Sequence, residues 1–352
     1  MPCLAEELTS RVLTAYRSRS PLNITGAGTK DFLGQTAKNC TTLDVTGHNG
    51  IIEYDPAELI LVARGGTPLR EIEELLHTHH QMLGFEPPFA DSGATLGGAV
   101  AAGLAGPGRA YSGAVRDHLL GVRFINGKGE TATAGGKVMK NVAGFDLFRP
   151  MAGSMGTLGV LLEISLRVVP LPEFELSLLH EEINERSALE KMNLWTNKTQ
   201  AISATTWNGR HIHIRLSGAT AAVEHGQMQI GGEIGTEAGY WRDLNDFKLD
   251  FFGQQGRLWR ISVAPMSGPV AENLPQLIDW GGAQRWLKTD APSSVIRSHA
   301  ARLGGHAECF SKDENMPTYH PLEDGLLTMN QRFKSALDPH GILNPGRKYP
   351  EV

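Results

Sequence analysis

The stretch 140–160, KNVAGFDLFRPMAGSMGTLGV, constrains this chain more than any other. It places Gly144, Gly153, Gly156 and Gly159 in one short span, with Asn141 and Asp146 between them. Glycine is costly inside regular structure, because its unconstrained backbone loses the most entropy on folding. Such a concentration makes sense where main chain must lie against a flat or phosphorylated ligand. Two similar stretches precede it. Residues 24–30 read ITGAGTK, and residues 91–98 read DSGATLGG before Gly103 and Gly106. Three separated glycine-rich loops predict a large cofactor held by main chain at several points.

A dinucleotide pyrophosphate carries two negative charges, which main-chain N–H groups at a helix start or in a nest of turns bind without a metal. Gly26, Gly28, Thr29 and Lys30 form the first candidate, with a plain turn as the bland alternative. The pattern departs from Gly-x-Gly-x-x-Gly, which disfavours a Rossmann nucleotide fold. In the second loop, Gly93, Thr95, Leu96, Gly97 and Gly98 precede the Ala-rich segment 99–105, which includes Gly103. Tight helix packing is the alternative there. The third set is Asn141, Gly144 and Asp146, then Gly153, Ser154, Gly156, Leu158, Gly159 and Val160.

A length of 352 residues sets a prior of about two domains. Lys+Arg 33 against Asp+Glu 38 leaves a net charge of −5, which implies no polyanion-binding surface. No basic run interleaves with aromatics, so nucleic acid is not an expected partner. No apolar run approaches the length of a membrane span, and the start MPCLAEELTS lacks the apolar core of a secretory signal. Cys3, Cys40 and Cys309 are few and far apart, which fits a reducing cytoplasm. They do not form the spaced sets that ligate iron–sulfur clusters, so any such cluster belongs to another chain.

Along the chain, residues 4–19 read as an amphipathic helix with Leu4, Leu8, Val12 and Tyr16 at helical spacing. Residues 22–25, 43–46, 59–63, 119–124 and 161–169 read as strands, with 127–130 as a hairpin turn. A helix runs from Pro68 to about His80, with Thr67 as its N-cap and Leu69, Ile72 and Leu76 inward. This alternation indicates an α/β arrangement. The Pro170–Pro172 region marks a boundary. Beyond it, 176–179, 211–216 and 258–263 read as strands, and 183–197 and 270–277 as helices. A last helix spans 329–338.

The motifs ITGAGTKDFLG, PPFADSGATLGGAVAAGLAGPGR, YSGAVRDHLLGVR, GGKVMKNVAGFDL and MAGSMGTLGVLLEISLRVVP together resemble the vanillyl-alcohol-oxidase type of FAD-binding fold. LIDWGGAQRWLK and LDPHGILNPGRKY narrow the resemblance to the FAD-binding subunits of bacterial glycolate oxidase. The resemblance implies an α+β chain, with a PCMH-type FAD-binding domain of two α/β subdomains and a small α+β cap. The expected divisions are 1–172 for FAD, 173–328 for the reduced cap, and 329–352 for a helix and tail returning to the FAD site. It also implies that the second and third loops lie along the flavin and the adenosine portion. Asn344 then caps the pyrimidine edge, and Arg347 stabilises anionic reduced flavin. Relatives that attach flavin covalently often carry a His in the first glycine loop. That loop has none here, so the FAD is expected to be non-covalent.

Oxidising a 2-hydroxy acid requires a cation for its carboxylate and a base for its hydroxyl proton. Arg260, Arg285, His213 and His306 are the candidates in the second half, with Arg260 and His306 the chosen pair. The bland readings are a solvated strand arginine and a structural histidine. Trp280 and Trp286 either line a pocket or pack in the core. Arg116 and Asp117 are expected to tie strands to loops. His77, His79 and His80 do not share a helix face, so no metal site is expected.

Catalytic relatives for D-2-hydroxy acids usually carry Gly-Asp-Gly-Asn and metal-binding His and Glu residues, and this chain lacks Gly-Asp-Gly-Asn. The leading expectation is a subunit taking part in glycolate-to-glyoxylate oxidation. Its expected partners are a larger paralogous FAD-linked subunit and an iron–sulfur subunit. It would be cytoplasmic, or membrane-peripheral through those partners. A stand-alone flavin dehydrogenase and a non-catalytic FAD-holding relay stay open.

Overall fold

A computed structural model describes residues 4–35, 39–136, 148–235, 239–270, 274–313 and 316–352. The expected ligand residues Asn141, Gly144 and Asp146 lie outside the described residues. Two units emerge from the chain's contacts. The first is Met1–Leu104, Ala114–Pro170 and Pro321–Val352; the second is Ala105–Gly113 and Leu171–His320. The segment 105–113 joins the second unit through Trp280. The indole Nε1 donates to Gly106 O at 3.0 Å, and the Arg109 guanidinium lies 4.5 Å from the ring centre.

The first unit holds strands β1 (Leu22–Thr25), β2 (Thr41–Asp44), β3 (Ile51–Asp55), β4 (Ile60–Arg64), β5 (Gln81–Met82), β6 (Leu119–Ile125), β7 (Thr131–Gly135), β8 (Val160–Arg167) and β9 (Val169–Pro170). The main sheet runs β3-β4-β8-β6-β7 and is antiparallel throughout. The alternation of strands and helices therefore does not signify parallel crossovers in this sheet. Parallel pairing occurs at β1 and β2. On its other edge, β1 takes up the tail: Leu22 N donates to Ile342 O at 2.7 Å, and Asn344 N donates to Leu22 O at 3.0 Å. The helix Leu4–Ser18 buries Leu8, Val12 and Ala15, at its helical spacing, in a core shared with Leu22, Leu43, Val160, Ile342 and Leu343. Each Leu, Ile or Val side chain among them contributes about 1.5–3 kcal/mol on full burial. Tail and opening helix are thus built into one core.

The second unit holds β10 (Phe174–Glu181), β11 (Ile202–Trp207), β12 (His211–Gly218), β13 (Glu233–Ile234), β14 (Arg257–Ser262), β15 (Gln276–Asp279), β16 (Gln284–Thr289) and β17 (His306–Cys309). They form an eight-stranded sheet in the order β13-β10-β12-β11-β15-β16-β14-β17. Helices Glu185–Thr196 and Thr220–Ile230 set Leu189, Met192, Val223 and Ile230 against Ile212, Ile214 and Leu216. Helix Ser293–Arg302 sets Ile296 and Ala300 against Trp259, Ile261 and Leu287.

Two local expectations are corrected. Of the helix expected over 270–277, residues 271–273 lie outside the described residues, and Gln276 and Leu277 instead belong to a strand that pairs with β11 and β16. All four residues of β15 are buried. A short apolar run buried on both faces carries no period that separates strand from helix. Thr67 is not the helix cap. Its Oγ1 engages Gly50, accepting from N at 2.9 Å, and Pro68 occupies the cap position of helix Leu69–Thr78.

Candidate functional site

A cleft in the first unit encloses about 720 Å³ of non-protein space, its open mouth included. The walls come from residues distant in sequence: 24–31, then Thr95, Gly97, Gly98, Ala101 and Ala102, then Met155, Gly156, Gly159 and Leu161. Asn344 and Arg347 of the tail complete the lining.

The walls approach one another through glycine. A Cβ at Gly26 would stand 2.6 Å from Thr95 Oγ1, so the first two loops meet there. A Cβ at Gly156 would stand 2.7 Å from Asn344 Nδ2, so the third loop and the tail meet there. Real Cβ contacts are not this short, and substitution would force the walls apart. Thr95 also caps the helix Leu96–Ala102, accepting from Gly98 N at 3.2 Å. The third loop docks on that helix, with Gly153 N donating to Val100 O at 3.0 Å and Met155 N to Ala101 O at 2.8 Å.

The first loop supplies donors. The main-chain N–H groups of Gly26, Ala27, Gly28 and Thr29 hydrogen-bond to no other group among the described residues. All four residues line the cleft, as do Lys30 and Arg347. Arg347 reaches Asp31 at 3.5 Å. Successive unbonded amides beside two cations make a setting for an anion.

Asn344 has a role that its sequence does not disclose. Its Oδ1 accepts from Ile24 N at 2.6 Å, and its Nδ2 donates to Met155 O at 2.7 Å. The side chain therefore ties β1 to the third loop. Behind it, buried Lys334 donates to Thr157 O at 2.7 Å and Leu343 O at 2.8 Å. Burial pushes the Lys334 ammonium below its ordinary range, and neighbouring Asp338 partly offsets this.

Gly93, Leu96, Gly103, Gly153, Ser154, Leu158 and Val160 are not among the lining residues, though a Cβ at Gly103 would meet Gly153 at 2.9 Å. The sequence reading missed Ile24, Thr25, Ala27, Asp31, Val45, Ala101, Ala102, Met155 and Leu161, which also line the cleft. The small residues Ala101 and Ala102, one helical turn beyond Gly97 and Gly98, were the available signal.

In the second unit, Arg260 on β14 pairs across to Glu308 on β17. Its Nε donates to Glu308 Oε2 at 3.0 Å, its Nη2 donates to the same oxygen, and its guanidinium lies 4.6 Å from the Phe310 ring centre. Arg285 is fully buried and bound by Glu185 at 2.9 Å and by Ser267 O at 2.8 Å. His213 is buried and stacks on Tyr240 with ring centres 4.0 Å apart. Burial, helped by His211, lowers its pKa to about 4. His306 is exposed at the start of β17, opposite Ser262. Trp280 and Trp286 are both buried, Trp286 among Phe247, Phe252 and Phe310. In the first unit, Asp117 accepts from Ala114 N at 2.8 Å and lies 3.9 Å from Arg116, a local turn rather than a tie between strands.

Residues 2–135 match the family described as FAD binding domain. Over 350 residues, 99% of this chain and 98% of the relative, the sequence is 44% identical to glycolate oxidase subunit GlcE of Escherichia coli (strain K12). The chain belongs to the GlcE family of glycolate oxidase subunits. Partial likenesses accompany this one. Glycolate oxidase subunit GlcD of Bacillus subtilis (strain 168) is 30% identical over 174 residues, 48% of this chain and 36% of that protein. D-lactate dehydrogenase of Anaerostipes hadrus is 28% identical over 175 residues, 49% and 36% respectively. A structure of alkyldihydroxyacetonephosphate synthase aligns with a TM-score of 0.68 at 15% identity, over 97% of this chain and 74% of that one, which shows a shared fold.

Members of the GlcE family are FAD-dependent oxidoreductase subunits of the vanillyl-alcohol-oxidase fold, and FAD is the cofactor. The cleft fits that group. Four unbonded amides with Lys30 and Arg347 suit a pyrophosphate, and Ile24, Val45, Ala101, Met155 and Leu161 offer apolar wall to a ring system. Among the described residues no cluster of His, Cys, Asp and Glu is arranged to hold a metal. No described helix is long and apolar enough to cross a membrane.

Proposed function

We propose that the first unit holds FAD non-covalently in this cleft, and that the chain serves a glycolate oxidase complex that converts glycolate to glyoxylate. The convergence of three glycine loops on four unbonded amides carries the reading. The amides of residues 26–29, with Lys30, bind the pyrophosphate. Gly97, Gly98, Gly156 and Gly159 let the walls close, and Arg347 supplies positive charge. Bound FAD supplies two-electron acceptance, by which the hydroxy acid loses a hydride from carbon and a proton from its hydroxyl to become the oxo acid. Asn344 and Lys334 hold the tail against the loops and so keep water out of the closed end. The second unit is the reduced cap. The chain's partners are a paralogous FAD-linked subunit, as the partial likeness to a GlcD subunit supports, and an iron–sulfur subunit that takes the electrons onward.

One observation favours a second reading. Glu308 already holds Arg260, and Glu185 holds Arg285. A carboxylate clamp on either would first have to break an ion pair. In this reading the chain keeps flavin in the complex as a relay, and the partner flavoprotein oxidises the substrate.

A visible spectrum of the purified chain, recorded before and after anaerobic glycolate, separates the two. Flavin bands that bleach locate the chemistry on this chain. Bands that persist until the partner subunit is added support the relay. A chain that binds no FAD even after reconstitution refutes both.

A further inference from the structure

The loop 153–158 is a shared wall. Met155 and Gly156 face the cofactor cleft, while Ser154, Thr157 and Leu158 line a second cavity of about 1140 Å³, its open mouth included. The far side of that cavity is the helix Asp324–Leu337, through Asn330 and Phe333. This helix buries little besides Lys334, and it leaves Leu326 48% and Met329 59% exposed. Leu326, Met329 and Phe333 stand at i, i+3 and i+7, one continuous apolar stripe leading out of the cavity. Among the described lining residues the rim carries Arg116, Arg149 and Lys348 against one acidic side chain, Asp117, which accepts from Ala114 N and lies 3.9 Å from Arg116, while Lys348 donates to Gly153 O at 2.8 Å.

We propose that this groove docks a segment of a partner chain that carries carboxylates beside apolar side chains. The inference rests on the reading of the chain as a subunit of an oxidase complex, and it names the surface. The stripe extends past the cavity and so exceeds what a small ligand covers, while its spacing is that of anchors for a docked protein segment. The charge selects the partner. Three cations gather here on a chain of net charge −5, so the rim attracts carboxylates, whereas a second copy brings net repulsion. Docking here would set the partner one loop away from the flavin cleft, where electron exchange between chains is short.

The test co-expresses the full chain with the paralogous FAD-linked subunit and measures co-elution and affinity. Two surface variants, Leu326→Asp/Met329→Asp and Arg116→Glu/Arg149→Glu, change residues that do not line the FAD cleft. Both are expected to bind the subunit at least tenfold more weakly, with FAD content and circular dichroism as in the wild type. Slowed hydrogen exchange of 324–337 in the complex is the expected independent mark, and it stands even if one variant fails to fold. Wild-type retention with unchanged affinity in both variants overturns the docking surface and leaves the FAD reading intact. Failure of the wild type to retain the subunit overturns the complex reading and this surface together. A concentration-dependent dimer lost in Leu326→Asp/Met329→Asp assigns the groove to a second copy and also overturns the proposal.

Discussion

Lys334 Nζ lies 2.8 Å from Asp338 Oδ2, one helical turn away, and both side chains are almost wholly buried. Asp338 in turn accepts from Ile342 N at 3.1 Å and Leu343 N at 2.8 Å. The pair links the end of the last helix, the third glycine loop and the tail that closes the cleft. Buried pairs of this kind add little net stability, yet breaking one strands a charge and costs about 3–5 kcal/mol. Lys334→Met should therefore lower the unfolding free energy by about that much and weaken FAD retention. Asp338→Asn, which keeps one acceptor oxygen for the tail amides, should cost less. Urea unfolding with and without FAD checks both. A Lys334→Met chain as stable as the wild type contradicts the account.

Gly26 and Thr95 allow a sharper test. Gly26→Ala places a methyl 2.6 Å from Thr95 Oγ1, and overpacking of this kind costs about 1–3 kcal/mol. If the first two loops part by that amount, FAD affinity falls by roughly 5- to 150-fold. Thr95→Ala removes Oγ1 and leaves only the Cβ, 3.7 Å away, at the expense of the cap on Gly98. The double variant should bind FAD more tightly than Gly26→Ala alone, a coupling between contacting sites. Titration of the apo chain with FAD measures it. Additive losses would show that the loops do not meet here.

Much of this site was legible because glycine has few reasons to cluster. The run 22–25, entering a Gly-x-Gly turn, announced both β1 and the first wall. The resemblance implied that the tail's Asn-Pro-Gly-Arg ending returns to the cofactor site, and Asn344 and Arg347 line the cleft. What Asn344 does there was not legible, because its partners are main-chain atoms of Ile24 and Met155, 320 and 189 residues distant. The same limit hid Asp31, whose pairing with Arg347 depends on the fold. Arg260 was correctly placed on an alternating strand. Glu308 opposite it comes from a strand 48 positions on, and no local pattern reports such a partner. The end of the helix expected at 270–277 is strand instead, where Leu277 and Ile278 are buried together in a central strand.

His213 predicts a pH dependence. Its pKa is lowered from 6.5 to about 4, chiefly by burial. Between those values the unfolded chain binds a proton that the native chain does not, so stability falls as pH drops through this window and levels off near pH 4. The shift corresponds to about 3 kcal/mol at 1.36 kcal/mol per unit. His213→Gln should flatten this part of the acid limb, measured as the difference between the two chains in urea unfolding at pH 7, 6, 5 and 4. Parallel curves would contradict the burial argument. A histidine held neutral this far below pH 7 is also a weak base, which argues against His213 as the group that takes the hydroxyl proton.

Arg260 and Glu308 decide whether the second unit contains a substrate clamp. Their side chains are 18% and 12% exposed, so removing one partner should cost up to about 3 kcal/mol, less than for a fully dry pair. Arg260→Met/Glu308→Met should recover most of that loss, because neither charge is left alone. A structural pair predicts that the double variant keeps the wild-type rate and half-saturation for flavin reduction by glycolate in the assembled complex. A clamp predicts the opposite, since the carboxylate of glycolate loses its cation whether or not Glu308 is present, and half-saturation rises in Arg260→Met and in the double variant alike. The ion pair seen here leads to the first outcome. A raised half-saturation that the second substitution does not relieve would return Arg260 to the substrate.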